Sequence, residues 1–244
     1  PPGGRGGRRA ALRGGAGRVP VRSAYAKELR LLQHVCSVAS FGDPASICEA
    51  IEHFGSHGLR QSGMWLKVAG GEKSAVIKAA VRGCSAGGSV LEIGTYCGYS
   101  AILIALAVPN VQVSTLELDP VHVMIARSVI AFADLQSAVD VWTGHSKDLL
   151  QWFARTPARR GQHSMVFMDQ RGSRYGEDLA ALEDSGLLSP GALIMADNAL
   201  KPGAPLFLWR LHAGTEGGRQ FVRVREFAMP AEDWLALAAR RAGP

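Results

Sequence analysis

The sequence predicts one α/β domain built around a doubly wound, mostly parallel β-sheet with helices on both faces. Its 244 residues, 47% of them hydrophobic, can bury one sizeable core. Apolar runs of strand length alternate with segments of helical periodicity through the middle of the chain. Polar residues follow several of these runs directly. Because ligands bind outside the carboxyl ends of the strands in such a sheet, these residues are the first candidates for a functional site.

Residues 1–25 are predicted to form a disordered Gly/Arg-rich arm, and residues 26–244 the folded domain. Eight basic residues stand against Glu28 alone in the first 30 positions, whereas the rest of the chain has 19 basic and 20 acidic residues. The net charge of +6 therefore belongs to the arm, and we expect no nucleic-acid partner for the domain. The arginines leave open an organelle-targeting remnant or a contact with RNA or an anionic surface; otherwise we expect a cytoplasmic protein.

Three helices are predicted before the first strand. The stretches 27–39, 46–54 and 72–81 each repeat apolar residues at helical spacing. Asp43 and Pro44, which precede the second stretch, are typical of a helix start. A Gly-rich link separates the second helix from the third.

Five strands separated by helices are predicted next, and this order favours βαβ units. Near the C terminus, residues 219–227 alternate like a strand, whereas residues 232–241 have helical propensity. The longest apolar run, residues 101–108, is far shorter than the roughly 20 residues that cross a bilayer, so no membrane span is expected. The predicted strands are 89–94, 111–118, 138–144, 164–169 and 191–198, and the helices between them begin near Gly98, Pro120, Ser146 and Gly176.

The stretch VLEIGTYCGYS, residues 90–100, reads as a strand, a glycine turn and the start of a helix. Gly94 and Gly98 are spaced GxxxG, so the GxGxxG arrangement that seats a pyrophosphate is missing. Glu117 ends the next strand, where a carboxylate commonly binds the hydroxyls of a ribose. A nucleoside without phosphates, such as S-adenosylmethionine, would suit both features. The alternative is that Glu117 only belongs to a helix start.

Two later strands end at residues whose side chains carry oxygen atoms. Asp169 closes one of them, and Asp197 with Asn198 closes the next. Two carboxylates and an amide at one edge of a sheet are a ligand set that suits Mg²⁺. The alternative is that the aspartates cap the helices that follow.

Several motifs together resemble the catechol O-methyltransferase family, from about Ala26 to the C terminus. The resemblance implies a Rossmann-like, seven-stranded sheet with extra N-terminal helices, and it makes residues 233–241 a final strand. It also implies a monomer that uses S-adenosylmethionine and Mg²⁺ to methylate a hydroxyl of a catechol or related phenol. The motifs are LRLLQHV, SICEAIEHF, LEIGTYCGYSA, TLELDP, VFMDQRGSRY, DSGLL and ADNALKPGAP.

The same resemblance implies roles for individual residues. Mg²⁺ would be held by Asp169, Asp197 and Asn198. In the acceptor pocket the family has a tryptophan before the sheet, which corresponds to Met64 or Trp65 depending on a one-residue gap; Trp65 as a buried core residue is the alternative. Pro202, Asn198 and, if a gap is allowed, Glu226 would also line this pocket. The cofactor would contact Val68, Glu92, Gly94, Tyr96, Ser100, Glu117, Leu118, Ser146 and Asp169.

The chain departs from the family where the general base is expected. Gly172 occupies the position of the family's lysine, and Arg171 that of an aromatic residue. Three interpretations stay open: ionisation by the metal alone, or with Lys201 as the base; stabilisation of a phenolate or an acidic substrate by Arg171, which stays protonated; or a cofactor-binding protein that has lost acceptor methylation.

Overall fold

The computed structural model describes residues 24–59, 64–84, 88–159, 161–214 and 218–240. The predicted arm therefore lies outside the described residues except at Ala24 and Tyr25. The Tyr25 hydroxyl donates a hydrogen bond of 2.8 Å to Asp119, so the contacts of the domain begin just before the first helix.

A mixed seven-stranded sheet forms the centre of the molecule, in the order β3-β2-β1-β4-β5-β7-β6. The first five of these strands are parallel, and β7 is antiparallel to both of its neighbours. The prediction of a doubly wound, mostly parallel, seven-stranded sheet is confirmed. The strands are β1 Ser89–Ile93, β2 Val113–Glu117, β3 Val139–Thr143, β4 His163–Met168, β5 Leu188–Ala196, β6 Arg219–Arg225 and β7 Glu232–Ala239.

Eight α-helices accompany the sheet in the described part of the chain, and the three predicted before the first strand are present. The Asp43 carboxylate accepts hydrogen bonds from the backbone N–H groups of Ala45 and Ser46, so the Asp-Pro pair starts the second helix as expected. The helices are α1 Ala26–Val38, α2 Pro44–His53, α3 Glu72–Arg82, α4 Tyr99–Ala107, α5 Pro120–Phe132, α6 Ser146–Ala154, α7 Tyr175–Ser185 and α8 Pro205–Gly214.

The core lies on both faces of the sheet. Along the central strands, successive side chains alternate between two hydrophobic clusters: Val90 and Met165 face the layer of α1 to α5, while Leu91 and Val166 face the layer of α6 to α8. Burial on both faces explains why these strands read as continuous apolar runs. Within the described ranges, no helix has the length and hydropathy that a bilayer-crossing segment needs.

β7 is the element for which local propensity was misleading. Residues 232–239 form a strand between β5 and β6, as the family resemblance predicted. Asp233 and Leu235 are buried in this strand. Pairing with two neighbours and burial outweigh the helical preference of its Leu and Ala residues, because propensity is a weak bias that tertiary contacts override.

Candidate active site

The site lies where β1, β4 and β5 end side by side. The N–H of Asp169 donates to the carbonyl of Ile93, and the N–H of Asp197 donates to that of Met168, each at 2.9 Å. Gly94 has a φ of +104°, and a Cβ atom there would lie 2.7 Å from the Asp169 carbonyl oxygen. Glycine is therefore required at this turn, because a residue without a Cβ atom lets the ends of β1 and β4 approach each other closely.

Glu117 lies beside the glycine turn at the end of β2. Its Oε2 accepts a hydrogen bond of 2.8 Å from the Tyr96 N–H, and its Oε1 accepts one of 2.9 Å from the Asp119 N–H. Burial alone would raise the pKa of Glu117, but bonds from His122 and these N–H groups outweigh it and lower the pKa. The result is an ionised acceptor at the strand end, of the kind that binds sugar hydroxyls.

Glu92 is completely buried on β1, just before the turn. Its Oε2 accepts a hydrogen bond from the Thr115 hydroxyl, while Oε1 has no partner. Burial raises the pKa of Glu92 to about 7. An unpartnered buried oxygen next to the glycine turn is an acceptor that a ligand N–H group could use.

The other residues that were predicted to contact the cofactor differ in their surroundings. Ser146, the first residue of α6, donates a 2.8 Å hydrogen bond to Asp178, and Gln170 donates to the same oxygen at 2.9 Å. Val68 packs against the core, whereas the Leu118 side chain is 62% exposed. The sequence interpretation missed Asp178, a buried carboxylate on α7 that fixes the two polar side chains.

Lys73 is the second residue that the sequence interpretation missed. Its ammonium group lies 2.7 Å from Asp197 and 2.5 Å from Glu226, and the residue is only 1% exposed. Burial would lower the pKa of Lys73, but the charges of the two carboxylates outweigh it and raise the pKa. The sequence could have indicated its burial, because Lys73 lies four residues before Ile77 and therefore on the same, buried face of α3.

Asn198 and Asp233 complete the polar cluster. Asn198 has a left-handed backbone with φ of +51°, and its Nδ2 donates to Glu226 at 2.9 Å and to Asp233 at 2.8 Å. Oxygens of Asp197, Glu226 and Asp233 lie within 4.8 Å of one another, a spacing that could hold a metal ion. The sequence interpretation did not single out Asp233, because this residue follows no strand end and belongs to none of the motifs that carry the resemblance.

The carboxylates of this cluster outnumber the single ammonium group, that of Lys73, which contacts two of them. Burial raises the pKa of Asp169 well above its usual range, the charge of Asp197 adds to the effect, and Lys73 opposes it. Burial also raises the pKa of Asp197 against the opposing charge of Lys73. Crowded buried oxygens with raised pKa values gain from an additional cation, so the ligand set fits a hard divalent ion such as Mg²⁺.

Sequence comparison places these residues in a known group of enzymes. The model of a family described as O-methyltransferase matches residues 64–207, which contain the strand ends of β1, β2, β4 and β5. The chain belongs to the O-methyltransferase family. The prediction of an S-adenosylmethionine-dependent O-methyltransferase is therefore confirmed at the level of the family.

Individual relatives agree with this assignment. Catechol O-methyltransferase of Bos taurus is 36% identical over 198 residues, which cover 78% of this chain and 68% of the relative. Catechol O-methyltransferase B of Danio rerio is 38% identical over 182 residues, which cover 73% of this chain and 66% of the relative. Transmembrane O-methyltransferase of Homo sapiens is 35% identical over 183 residues, covering 74% and 60%. The chain spans about two thirds of the length of such relatives.

Solved structures share the fold of this O-methyltransferase. An O-methyltransferase from Bacillus cereus, solved in complex with SAH, superposes with a TM-score of 0.65 at 19% identity and covers 91% of this chain and 94% of its own. The O-methyltransferase TomG from Streptomyces achromogenes, solved with SAM, gives 0.65 at 21% identity, covering 78% and 89%.

Trp65 was predicted either to line the acceptor pocket or to be a buried core residue. The second interpretation is wrong, because Trp65 is 47% exposed. Met64 packs partly buried against the core instead. Pro202 is exposed and follows a cis peptide bond from Lys201. Glu226, whose assignment depended on a gap, lies beside Asn198 and within the polar cluster.

The position of the family's lysine is closely packed in this chain. A Cβ atom on Gly172 would lie 2.9 Å from the carbonyl oxygen of Gly203, so even a methyl group would require the two loops to separate. The two neighbours considered as substitutes, Arg171 and Lys201, both have exposed side chains. The loop of Gly203 therefore fills the place at Gly172 where the resemblance predicts the position of a lysine.

Proposed function

We propose that this protein transfers a methyl group from S-adenosylmethionine to a hydroxyl of a catechol-type small molecule, with Mg²⁺ as the metal cofactor. The observation that carries the proposal is that Asp169, and Asp197 with Asn198, follow adjacent strand ends beside the glycine turn. Similarity to catechol O-methyltransferases over most of the chain supports the acceptor class. The raised pKa values of the two aspartates support a cation in this place.

The proposed roles on the cofactor side follow the order of the strand ends. Glu117 would accept hydrogen bonds from the ribose hydroxyls, and the free Oε1 of Glu92 would accept one from the methionine ammonium group. Gly94 would keep this turn close to the end of β4, because a Cβ atom there would collide with the Asp169 backbone. Ser146, held by Asp178, would lie near the adenine.

On the acceptor side, Asp169, Asp197 and Asn198 would hold Mg²⁺. When bound, Mg²⁺ supplies a Lewis-acid charge that favours ionisation of the acceptor hydroxyl. Glu226 would accept a hydrogen bond from the second hydroxyl of the acceptor. Methyl transfer is a displacement at the sulfonium carbon, so the main task of these residues is to align the oxygen with the methyl group and to exclude water.

Because Gly172 leaves no room for the family's lysine, we propose that methylation proceeds without a lysine at this position. Lys201 is the nearest substitute in sequence, and its exposed side chain would have to turn toward the acceptor to take a proton. Arg171 would contribute only positive charge, for a phenolate or an acidic substrate.

The test is methyl transfer from labelled S-adenosylmethionine to a panel of small catechols, with Mg²⁺ or with EDTA. We expect turnover that requires Mg²⁺ and that Asp197→Ala abolishes, while Asp140→Ala, at an exposed position on β3, keeps it. Equal turnover in EDTA would contradict the metal role.

A cofactor-binding protein without acceptor methylation is the second candidate, and the closed position at Gly172 is the observation that favours it. Calorimetric binding of S-adenosylmethionine, without turnover on any catechol in the panel, would establish this candidate instead.

A further inference from the structure

Asp233 lies beside the proposed metal ligands although it belongs to a distant part of the sequence. β7 runs antiparallel to β5, with Ala236 opposite Ala196, and this register carries Asp233 alongside the segment that follows Asp197. The residue is 0% exposed. A buried carboxylate needs partners to compensate for the loss of water, so its hydrogen bonds indicate its role.

Both carboxylate oxygens of Asp233 are occupied by N–H donors. Oδ1 accepts from the backbone of Leu200 at 3.0 Å, of Lys201 at 3.1 Å and of Trp234 at 2.6 Å. Oδ2 accepts from the side chain of Asn198 at 2.8 Å. A carboxylate engaged in this way is a poor candidate for a direct metal ligand, even though it lies near Asp197 and Glu226.

The hydrogen bonds to Asp233 and Glu226 fix the orientation of the Asn198 side-chain amide. A side-chain amide has two N–H donors on one atom and one acceptor oxygen. In Asn198 the nitrogen donates to Glu226 and to Asp233, so both of its donors are used by carboxylates. The amide can satisfy these bonds in only one of its two flipped orientations, which leaves Oδ1 for a cation.

We propose that Asp233 is a positioning residue that fixes the Asn198 amide so that its oxygen faces the metal. The inference rests on the proposed function, in which Asn198 is a ligand of Mg²⁺. Asp233 also holds the backbone at Leu200 and Lys201, and therefore sets the path of the chain directly after the ligand. Hydrogen-bonded neighbours of this kind orient metal ligands and strengthen binding.

The test is the Mg²⁺ affinity of the Asp233→Asn variant, measured by calorimetry in the presence of SAH, the product that S-adenosylmethionine leaves after methyl transfer. The new amide can keep its oxygen toward the three backbone N–H groups, but its nitrogen then opposes the nitrogen of Asn198. We expect Mg²⁺ binding to weaken by about ten- to a hundredfold, with little change in cofactor affinity. Glu232→Gln, the same change of charge at the exposed neighbouring residue, should bind Mg²⁺ as the wild type does.

A double mutant separates positioning from a general electrostatic or folding effect. If Asp233 acts through Asn198, Asp233→Asn should weaken Mg²⁺ binding much less in an Asn198→Ala background than in the wild type. An equal loss in both backgrounds would overturn the inference, and so would unchanged affinity of the single variant. Absence of Mg²⁺ binding by the wild type would overturn the metal-dependent function itself, and the inference with it.

A second variant tests the same arrangement if Asp233→Asn does not fold. Asn198→Asp introduces a stronger class of metal ligand, but its oxygens cannot donate to Glu226 and Asp233. We expect weaker Mg²⁺ binding because the new carboxylate is repelled from the position that the amide holds. Tighter binding would show that the two N–H bonds are not needed, and would overturn the inference.

Discussion

At the scale of single residues, the ammonium group of Lys73 is the main compensation for the buried acidic cluster. It lies 2.7 Å from Asp197 and 2.5 Å from Glu226. Removing one partner of a buried ion pair leaves an uncompensated charge in a medium that cannot solvate it. The cation is therefore important for stability as well as for the geometry of the site.

Lys73→Met is expected to lower the free energy of unfolding by about 3–5 kcal/mol at neutral pH in EDTA. Lys78→Met is the matched control, since Lys78 lies on the same helix but is only half-buried, and its loss should be at most about 1 kcal/mol. Urea denaturation of the three proteins measures the difference. Similar losses in both variants would show that Lys73 does not compensate the carboxylates.

At the scale of secondary structure elements, β4 begins with a buried histidine that must stay neutral. His163 is 1% exposed, its Nδ1 lies 2.7 Å from the Ser89 hydroxyl on β1, and its Nε2 has no partner. Burial, with a smaller contribution from the charge of Arg159, lowers the pKa of His163 to about 4. The unfolded chain therefore binds a proton at higher pH than the folded one.

The stability of the sheet should consequently fall with acidification. Because the folded pKa lies below the unfolded value of about 6.5, the loss develops between about pH 6.5 and about pH 4 and reaches on the order of 3 kcal/mol. We expect His163→Asn, which can retain the bond to Ser89, to lose stability less steeply in this range. His57→Asn, at an exposed position, should follow the wild type. Denaturant unfolding at several pH values decides between these outcomes.

At the scale of the whole molecule, the strand ends of one sheet gather acidic groups from distant parts of the chain. Asp169, Asp197 and Glu226 all have pKa values raised by burial, and Lys73 opposes the shift in each. Burial and mutual repulsion keep protons on the folded carboxylates at pH values at which the unfolded chain has released them, so these groups increasingly destabilise the metal-free protein as pH rises above their unfolded pKa values. A bound cation would relieve this repulsion, so the effect of the metal on stability should depend on pH.

We expect Mg²⁺ to raise the melting temperature more at about pH 8 than at about pH 6, because the raised pKa values of the carboxylates make protons compete more strongly with the metal as pH falls. Thermal unfolding with Mg²⁺ and with EDTA at both pH values measures this difference. Asp197→Asn should show little response to Mg²⁺ at either pH. An equal increase at both pH values in the wild type would contradict the assignment of these carboxylates to the metal site.

The sequence by itself determined the α/β class, the order of the elements and the turn at Gly94, because periodicity, Asp-Pro helix starts and glycine turns are local signals. It also brought Asp169, Asp197 and Asn198 to one edge, since parallel strands end together. Only the tertiary structure decided the roles of Lys73 and Asp233, whose partners lie on other elements and whose chemistry depends on burial. The same holds for β7, where pairing overrides helical propensity, and for Gly172, where the backbone of Gly203 excludes a side chain.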